Sequence, residues 1–391
     1  MARLRRHVAI AAAFGIASTA LLTPTAMAEE AVLPGAGAQA VEGSYIVVLK
    51  DGARTPASAL ASRYQGFLKH TYSTALHGFS VTGMTERQAR RLAADPDVEF
   101  VERNTVATIQ ETQSNPTWGL DRIDQANLPL NQKYTYPNTA SNVTAYVLDT
   151  GIRKTHSEFE NRATDGYDFI DDDAVAEDCQ GHGTHVAGTV AGKTYGVAKQ
   201  AKVVGVRVLD CGGSGAWDGI IRAIDWVTAN GKKPAVVNMS LGGSGTNSSL
   251  ENAVRRSITA GFTFVLAGGN EGQDACNFTP ARTPEAITVG ASDRTDKRSI
   301  WRAGSSNYGS CLDIWAPGSD IVSASHTSDT GSRADGGTSM AAPHVAGAAA
   351  LYLSANPNAS NAQVRDALVA AATPNKLTDI KTGSPNLLLK V

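Results

Sequence analysis

Three side chains of complementary chemistry stand in settings that serve a serine nucleophile. They are Asp149 in Val147-Leu148-Asp149-Thr150-Gly151, His182 in Gly181-His182-Gly183-Thr184-His185, and Ser339 in Gly337-Thr338-Ser339-Met340-Ala341-Ala342-Pro343-His344. A serine hydroxyl is a poor nucleophile by itself. It needs an imidazole to take its proton, and the imidazole needs a carboxylate to fix its tautomer and stabilise the imidazolium. Each residue alone has an ordinary use: a strand-end Asp as a turn residue or cap, a Ser at a helix start as an N-cap. His185 also competes with His182 for the role of base. The conjunction of all three, in the order Asp, His, Ser, points to nucleophilic catalysis. A zinc site of the H-E-x-x-H type is absent from the sequence, and G-T-S-M-A lacks the closing glycine of the G-x-S-x-G elbow.

Elements able to position these groups follow from the same sequence. Val143 to Leu148, Val203 to Leu209, Val236 to Met239, Phe262 to Leu266 and Ala286 to Val289 are short β-rich runs, and Asp218 to Ala229 and Leu250 to Ala260 carry helical spacing. The alternation predicts an α/β fold with a parallel sheet and helices on both faces. Strands covered on both sides read as near-continuous apolar runs, as these do. Sites in such sheets lie at the carboxyl ends of the strands, where Asp149, Ser240 and Gly268 fall. His182 begins an apolar helical stretch, Val186 to Ala191, and Gly181 and Gly183 allow close approach of a neighbouring backbone. Ser339 begins an Ala-rich helical run, Met340 to Leu353, whose free N–H groups and positive dipole end suit an oxyanion. Pro343 is placed in its first turn.

Upstream, Ser44 to Lys50, Gly78 to Val81 and Val98 to Glu102 read as strands, with helices near Pro56 to Leu68 and Thr85 to Ala94, the latter capped by Thr85. This is a small α+β unit, reached through an Ala/Gly/Pro-rich linker, Ala31 to Gln39. Residues 1–28 have the pattern of a secretory signal: Arg3, Arg5 and Arg6, an apolar run from Val8 to Leu22, then Ala26-Met27-Ala28. The run is about 15 residues, short of the roughly 20 needed to span a bilayer. A secreted, extracellular protein without a membrane partner is expected.

Taken together, the three motifs resemble the subtilisin family of serine endopeptidases over roughly Trp118 to the C-terminus. Trp118-Gly119-Leu120, Ser240-Leu241-Gly242-Gly243 and Gly269-Asn270-Glu271 are similar to its proteinase K and aqualysin-like branch. The resemblance implies a signal peptide at 1–28, an inhibitory pro-segment at 29–110 with its α+β part near 44–104, and a peptidase domain at 111–391. It implies self-cleavage near Gln110, a mature start at Glu111 or Thr112, and a tail, Asn104 to Gln110, lying in the cleft as an extended product. It assigns the base to His182 and leaves His185 a structural hydrogen bond. Asn270 becomes the second oxyanion donor, beside the Ser339 N–H. Gly213, Ser214, Gly215, Ser240, Leu241 and Gly242 become the edges that pair with substrate, with Ala267, Gly268 and Gly269 beside them. None of these supplies an acid to hold Lys or Arg, so an apolar or aromatic preference before the scissile bond is expected. Position 268 is Gly where the branch commonly has Ala.

The four cysteines, Cys179, Cys211, Cys276 and Cys311, are an even set in a chain read as secreted, which implies disulfides. Spacing leaves three pairings open; the resemblance favours Cys179–Cys211 and Cys276–Cys311. It also implies structural calcium, an ion that takes hard oxygen ligands. Asp313 with the carbonyls of Pro284 and Ala286 matches one family site by position, and Asp121, Asp124 and Gln125 resemble another. Asp171-Asp172-Asp173 reads as a solvated loop. The net charge of −2 offers no basic stripe for nucleic acid. Expected partners are protein and peptide substrates and the pro-segment as intramolecular inhibitor, on a monomer. Two other classes compete. A catalytically dead binding protein is disfavoured by the presence of all three triad residues and Asn270. An esterase or lipase would carry G-x-S-x-G and the order Ser, Asp, His.

Overall fold

The structure, a computed structural model, describes residues 28–34, 40–106 and 111–391. Nearly all of the expected signal segment, part of the linker and the expected cleavage point near Gln110 lie outside the described residues. The chain forms two compact units, Met1–Val106 and Ala107–Val391.

In the first unit four antiparallel strands lie in the order Phe67–Tyr72, Gly78–Thr82, Ala40–Leu49, Val98–Thr105. Val47, Phe79, Val81 and Val101 of the sheet pack against Leu60, Ala89 and Leu92 of helices Ala57–Arg63 and Glu86–Ala93. Thr85 caps the second helix as expected, in a reciprocal pair with Gln88. The first helix departs from expectation. It stops at Arg63 rather than running to Leu68, because Gln65 adopts a φ of 63° and turns the chain. Phe67–Tyr72 then joins the sheet as an exposed edge strand.

The second unit is built on a nine-stranded sheet. Its order is Thr373–Pro374, Leu387–Leu388, Ile314–Pro317, Ile287–Ser292, Thr263–Ala267, Ala235–Met239, Thr144–Asp149, Lys202–Arg207, Ala163–Asp168. All neighbours are parallel except the first pair. Successive side chains on a strand point to opposite faces, and here both faces are covered. Ala145, Val147, Val236 and Val265 meet helices His182–Ala191 and Thr338–Ala355. Tyr146, Leu148, Val237, Phe264 and Leu266 meet Trp217–Asn230 and Ser248–Thr259. Thr338–Ala355 is buried nearly all round, which is why its sequence is Ala-rich rather than amphipathic. The strands Ala163–Asp168 and Ile314–Pro317 were not apparent from the sequence. The first is a polar edge, ATDGYD, and the second is too short to register.

Three adjacent strands matter most. Thr263–Ala267, Ala235–Met239 and Thr144–Asp149 end side by side and deliver Gly268, Ser240 and Asp149 to one edge of the sheet.

Candidate active site

Asp149 is fully buried at the end of its strand. Its Oδ1 accepts the Nδ1–H of His182 at 2.7 Å and the Thr150 N–H at 2.8 Å. The His182 side chain is about one-fifth exposed, so one edge of the ring faces the cleft. Burial alone would lower the His182 pKa. The Asp149 charge and hydrogen bond, with Asp335 further off, outweigh it, and the pKa stands above the ordinary 6.5. Gly183 is required by contact: a Cβ there would lie 2.1 Å from the Gly151 carbonyl oxygen.

His185 is different. It is buried, its Nε2 contacts the Ile321 carbonyl at 2.9 Å and the Arg333 carbonyl at 3.2 Å, and burial pulls its pKa down to about 4. With Nε2–H of the neutral ring given to backbone carbonyls, the remaining lone pair sits on Nδ1, which is buried without a partner among the described residues and so is closed to a substrate proton. His344 is likewise buried and neutral, with its pKa at about 4 and Nδ1 on the Met340 carbonyl at 2.8 Å.

Ser339 is the second residue of helix Thr338–Ala355. Its Oγ donates to the Ser240 carbonyl at 3.2 Å, and Ser240 Oγ donates to the Ser339 carbonyl at 2.9 Å. Pro343 explains why that carbonyl is available. The residue lies in the second turn, not the first, and has no N–H to give to the carbonyl four residues earlier.

Asn270 faces the same helix start. Its Oδ1 accepts the Thr338 N–H at 2.8 Å and the Thr338 hydroxyl at 3.0 Å. The amide orientation is thereby fixed, leaving Nδ2 as a free donor beside the Ser339 N–H. The loop is braced from behind by Glu271 and the fully buried Asn307. Glu271 Oε2 accepts the Asn270 N–H and Asn307 Nδ2, both at 2.8 Å.

Two pockets flank the serine and share Ser240, Leu241 and Gly242 as a common wall. One, of about 190 Å³, adds Ala267, Gly268, Gly269, Asn270, Phe278, Ala281, Thr338 and Ser339. The other, of about 400 Å³, adds His182, Leu209, Gly213, Ser214, Gly215 and Trp217. The expected substrate-edge residues, Asn270, His182 and Ser339 thus line one or other of these adjoining pockets, and Asp149 lies behind His182 through its hydrogen bond. Outside the expected edge segments an acid, Glu271, also lines the smaller pocket, and its Oε2 is already taken up by Asn270 and Asn307. The glycine at 268 has a local cause. A Cβ there would stand 2.8 Å from Leu312 Cδ2 and 2.9 Å from the Val289 carbonyl.

The cysteines pair as Cys179–Cys211 and Cys276–Cys311, with Cα–Cα distances of 5.2 and 5.3 Å. For calcium the two candidate places differ. At the first, Asp124 Oδ1 and Gln125 Oε1 are buried with no hydrogen-bond partner among the described residues, and burial raises the Asp124 pKa. Orphaned hard oxygens of this kind fit a divalent cation. Asp121 contributes less, since both its oxygens accept backbone N–H groups of Asn131 and Gln132. At the second, burial lifts Asp313 to about 6, a carboxylate that a cation would hold ionised. There Arg365 Nη1 already donates to the Pro284 carbonyl at 3.2 Å. Among the described residues no three acidic, His or Cys side chains converge, so either place would depend on carbonyl or amide oxygens. Asp171 is paired with Arg207 and Asp172 with Arg222.

Sequence reasoning missed the supports. Asp178, Thr150, Thr338 and Asn307 make hydrogen bonds in the segments that carry Asp149, His182, Ser339 and Asn270. Only Asp178, three residues before Gly181, carried a sequence signal, as an Asp preceding a helix start.

Comparison with known proteins agrees with this geometry. A model described as the subtilase family matches residues 140–386, and one described as peptidase inhibitor I9 matches residues 44–110. The chain is 47% identical over 390 residues to an extracellular serine proteinase of Thermus sp., covering 94% of each. It is 39% identical to a cuticle-degrading serine protease of Arthrobotrys oligospora, covering 97% of each. The crystal structure of a cold adapted subtilisin-like serine proteinase matches with a TM-score of 0.68 at 51% identity, over 71% of this chain and 98% of that one. No helix among the described residues is long and apolar enough to cross a membrane. On its fold, its cleft and the extent of these matches, the chain belongs to the subtilase family and is a serine endopeptidase preceded by an inhibitor-type segment.

Proposed function

We propose that Ser339 is the nucleophile, His182 the general base and acid, Asp149 the carboxylate that orients it, and Asn270 with the Ser339 N–H the oxyanion site. The observation that carries this is the 2.7 Å Asp149–His182 hydrogen bond beside two pockets that share the Ser240–Gly242 wall, one lined by His182 and the other by Ser339 and Asn270. Rotation about the Ser339 side-chain bond moves Oγ from the Ser240 carbonyl to His182 Nε2, since catalytic hydrogen bonds often tighten only with substrate bound. Oγ attacks the scissile carbonyl as Nε2 takes its proton. The carbonyl oxygen becomes an oxyanion, held by Asn270 Nδ2 and the Ser339 N–H. His182 then gives the proton to the leaving amine, and water attacks the acyl enzyme by the same route in reverse.

Substrate lies extended between Gly213–Gly215 and Ser240–Gly242 as an added strand, with its residue before the scissile bond in the pocket of Ala267, Gly268 and Phe278. Those walls favour an apolar or aromatic side chain. The chain is secreted, as a monomer. It removes its own segment 29–110 near Gln110, giving a mature start at Glu111 or Thr112. Calcium, when bound by Asp124, Gln125 and Asp121, or by Asp313 with the Pro284 and Ala286 carbonyls, supplies charge that holds these loops in their folded form.

Casein hydrolysis by the purified protein tests the reading. Ser339→Ala and His182→Ala should each abolish it, and the Ser339→Ala precursor should accumulate uncut. A His182→Ala enzyme that keeps wild-type hydrolysis would move the base elsewhere.

A further inference from the structure

The helix that presents His182 has no cap of its own. The residue before it is Gly181, at a φ of 103°, which offers no side chain. Its first N–H groups go to side chains elsewhere. His182 donates to Gln180 Oε1 at 2.8 Å, Gly183 to Thr150 Oγ1 at 2.9 Å and Thr184 to Asp178 Oδ2 at 2.9 Å.

Two of these three lines lead to one carboxylate. Asp178 is 5% exposed and accepts five hydrogen bonds. Oδ1 receives the Thr150 hydroxyl at 2.9 Å, the Gln180 N–H at 2.9 Å and the Gly181 N–H at 2.7 Å. Oδ2 receives the Thr184 N–H at 2.9 Å and its hydroxyl at 2.6 Å. These donors lie on both sides of His182 in the chain and on the residue after Asp149. Thr150 closes the circuit: its N–H binds the same Asp149 oxygen that receives His182. The next residue along, Cys179, is bridged to Cys211 at the start of the substrate-edge segment, so the backbone at Asp178 is anchored independently of its carboxylate.

Only an ionised carboxylate accepts on both oxygens and donates nothing. An asparagine here would turn an NH2 group toward donors whichever way it flipped. Helix capping would explain the Thr184 bonds but not the bond to Thr150, which directly follows the strand that carries Asp149.

We infer that Asp178 is a positioning residue for the reaction: its carboxylate holds the Asp149 strand end and the first turn of the His182 helix in one relation, and so sets the Asp149–His182 hydrogen bond. This rests on the assignment of His182 as the base. Displacement of such groups by about 1 Å costs on the order of 100-fold in rate.

The test uses Asp178→Asn, Thr150→Val and Thr150→Ser precursors, matured by a tagged wild-type enzyme that is then removed. Peptide hydrolysis is followed against pH, together with the low-field proton resonance of the His182–Asp149 hydrogen bond. The His182→Ala control comes first. If it stays active, the assignment of the base fails, whatever Asp178 does. Asp178→Asn should lower kcat roughly 100-fold with KM within about threefold. It should also move the acid limb of kcat/KM to lower pH and shift or broaden the resonance. Thr150→Val should do the same more weakly, and Thr150→Ser should restore wild-type behaviour. A near wild-type kcat in Asp178→Asn overturns the inference. So does a kcat loss with acid limb and resonance unchanged, which would mark a general structural defect. If Asp178→Asn does not fold, Thr150→Val decides: the same three changes support the inference, and their absence overturns it.

Discussion

Ser240 and Ser339 are joined twice, each hydroxyl donating to the other's carbonyl, at 2.9 and 3.2 Å. The pair ties the end of strand Ala235–Met239 to the start of helix Thr338–Ala355, and Asn238 Nδ2 supports it by donating to Ser240 Oγ at 2.9 Å. Ser240→Ala removes the donor to the Ser339 carbonyl and the acceptor for the buried Asn238 amide. Buried polar groups left unpaired cost about 1–3 kcal/mol. The variant should lose that much in urea unfolding and fall about tenfold in kcat as Ser339 loses its fixed backbone. Unchanged unfolding and kcat would mean that the mutual bond is incidental.

Asn270 is held through its oxygen, so its amide nitrogen is the part left for substrate. Asn270→Ala should lower kcat by roughly 10²–10³, the magnitude known for losing this donor in subtilisin, with little change in KM. Asn307→Ala should show a weaker form of the same defect, because Asn307 braces Glu271 and the Gly268 carbonyl rather than substrate. Steady-state kinetics on one peptide substrate separates the two.

His182 must be neutral to take the Ser339 proton, and its pKa lies above 6.5. Activity should fall as pH drops through that raised value, so the acid half-point of kcat/KM should lie above pH 6.5. Asp149→Asn removes the main group that raises the pKa. The half-point should move down, and kcat should fall by about 10⁴. The sign for stability is opposite. Contact with Asp149 favours the protonated ring, so this contribution is fully present below the unfolded value near 6.5 and is lost as pH rises through the folded one. A pH titration of both forms checks the two signs together.

How far the sequence reached follows burial. Val147, Val236 and Val265 alternate with residues of the other face on strands covered on both sides, and such runs are visible without a structure. The proposed reacting groups are visible in the sequence because Asp149, His182 and Ser339 sit at the ends of those elements. What was hidden lay in side-chain partners distant in sequence. Asn307 reaches Gly268 from 39 residues away, and Thr338 reaches Gly269 from 69. Ala163–Asp168 was hidden for another reason: an edge strand has one neighbour and little apolar surface to advertise it. Helix Ala57–Arg63 is shorter than its sequence pattern suggests because the turn that ends it depends on Gln65 in a left-handed conformation, which its residue type does not announce.

The staples and the cation places should add separately to stability. Each disulfide closes a loop of 32 or 35 residues in sequence separation, worth roughly 2–4 kcal/mol on the chain-entropy account. A chelator should lower the inactivation temperature of the oxidised enzyme if calcium binds only the folded state. Asp124→Asn should reduce that chelator effect at the place where Asp124 Oδ1 and Gln125 Oε1 lack partners. Asp313→Asn should reduce it at the other. Calorimetry with and without calcium checks both variants; an unchanged chelator effect in both would leave neither place a calcium site.

The most direct measurement is the covalent map of an organic fluorophosphonate on the mature enzyme. Peptide mass analysis should find a single adduct on the fragment that holds Ser339, none in Ser339→Ala, and strongly slowed labelling in His182→Ala. An adduct on another serine, or an enzyme that resists the reagent while still cleaving casein, would contradict the account.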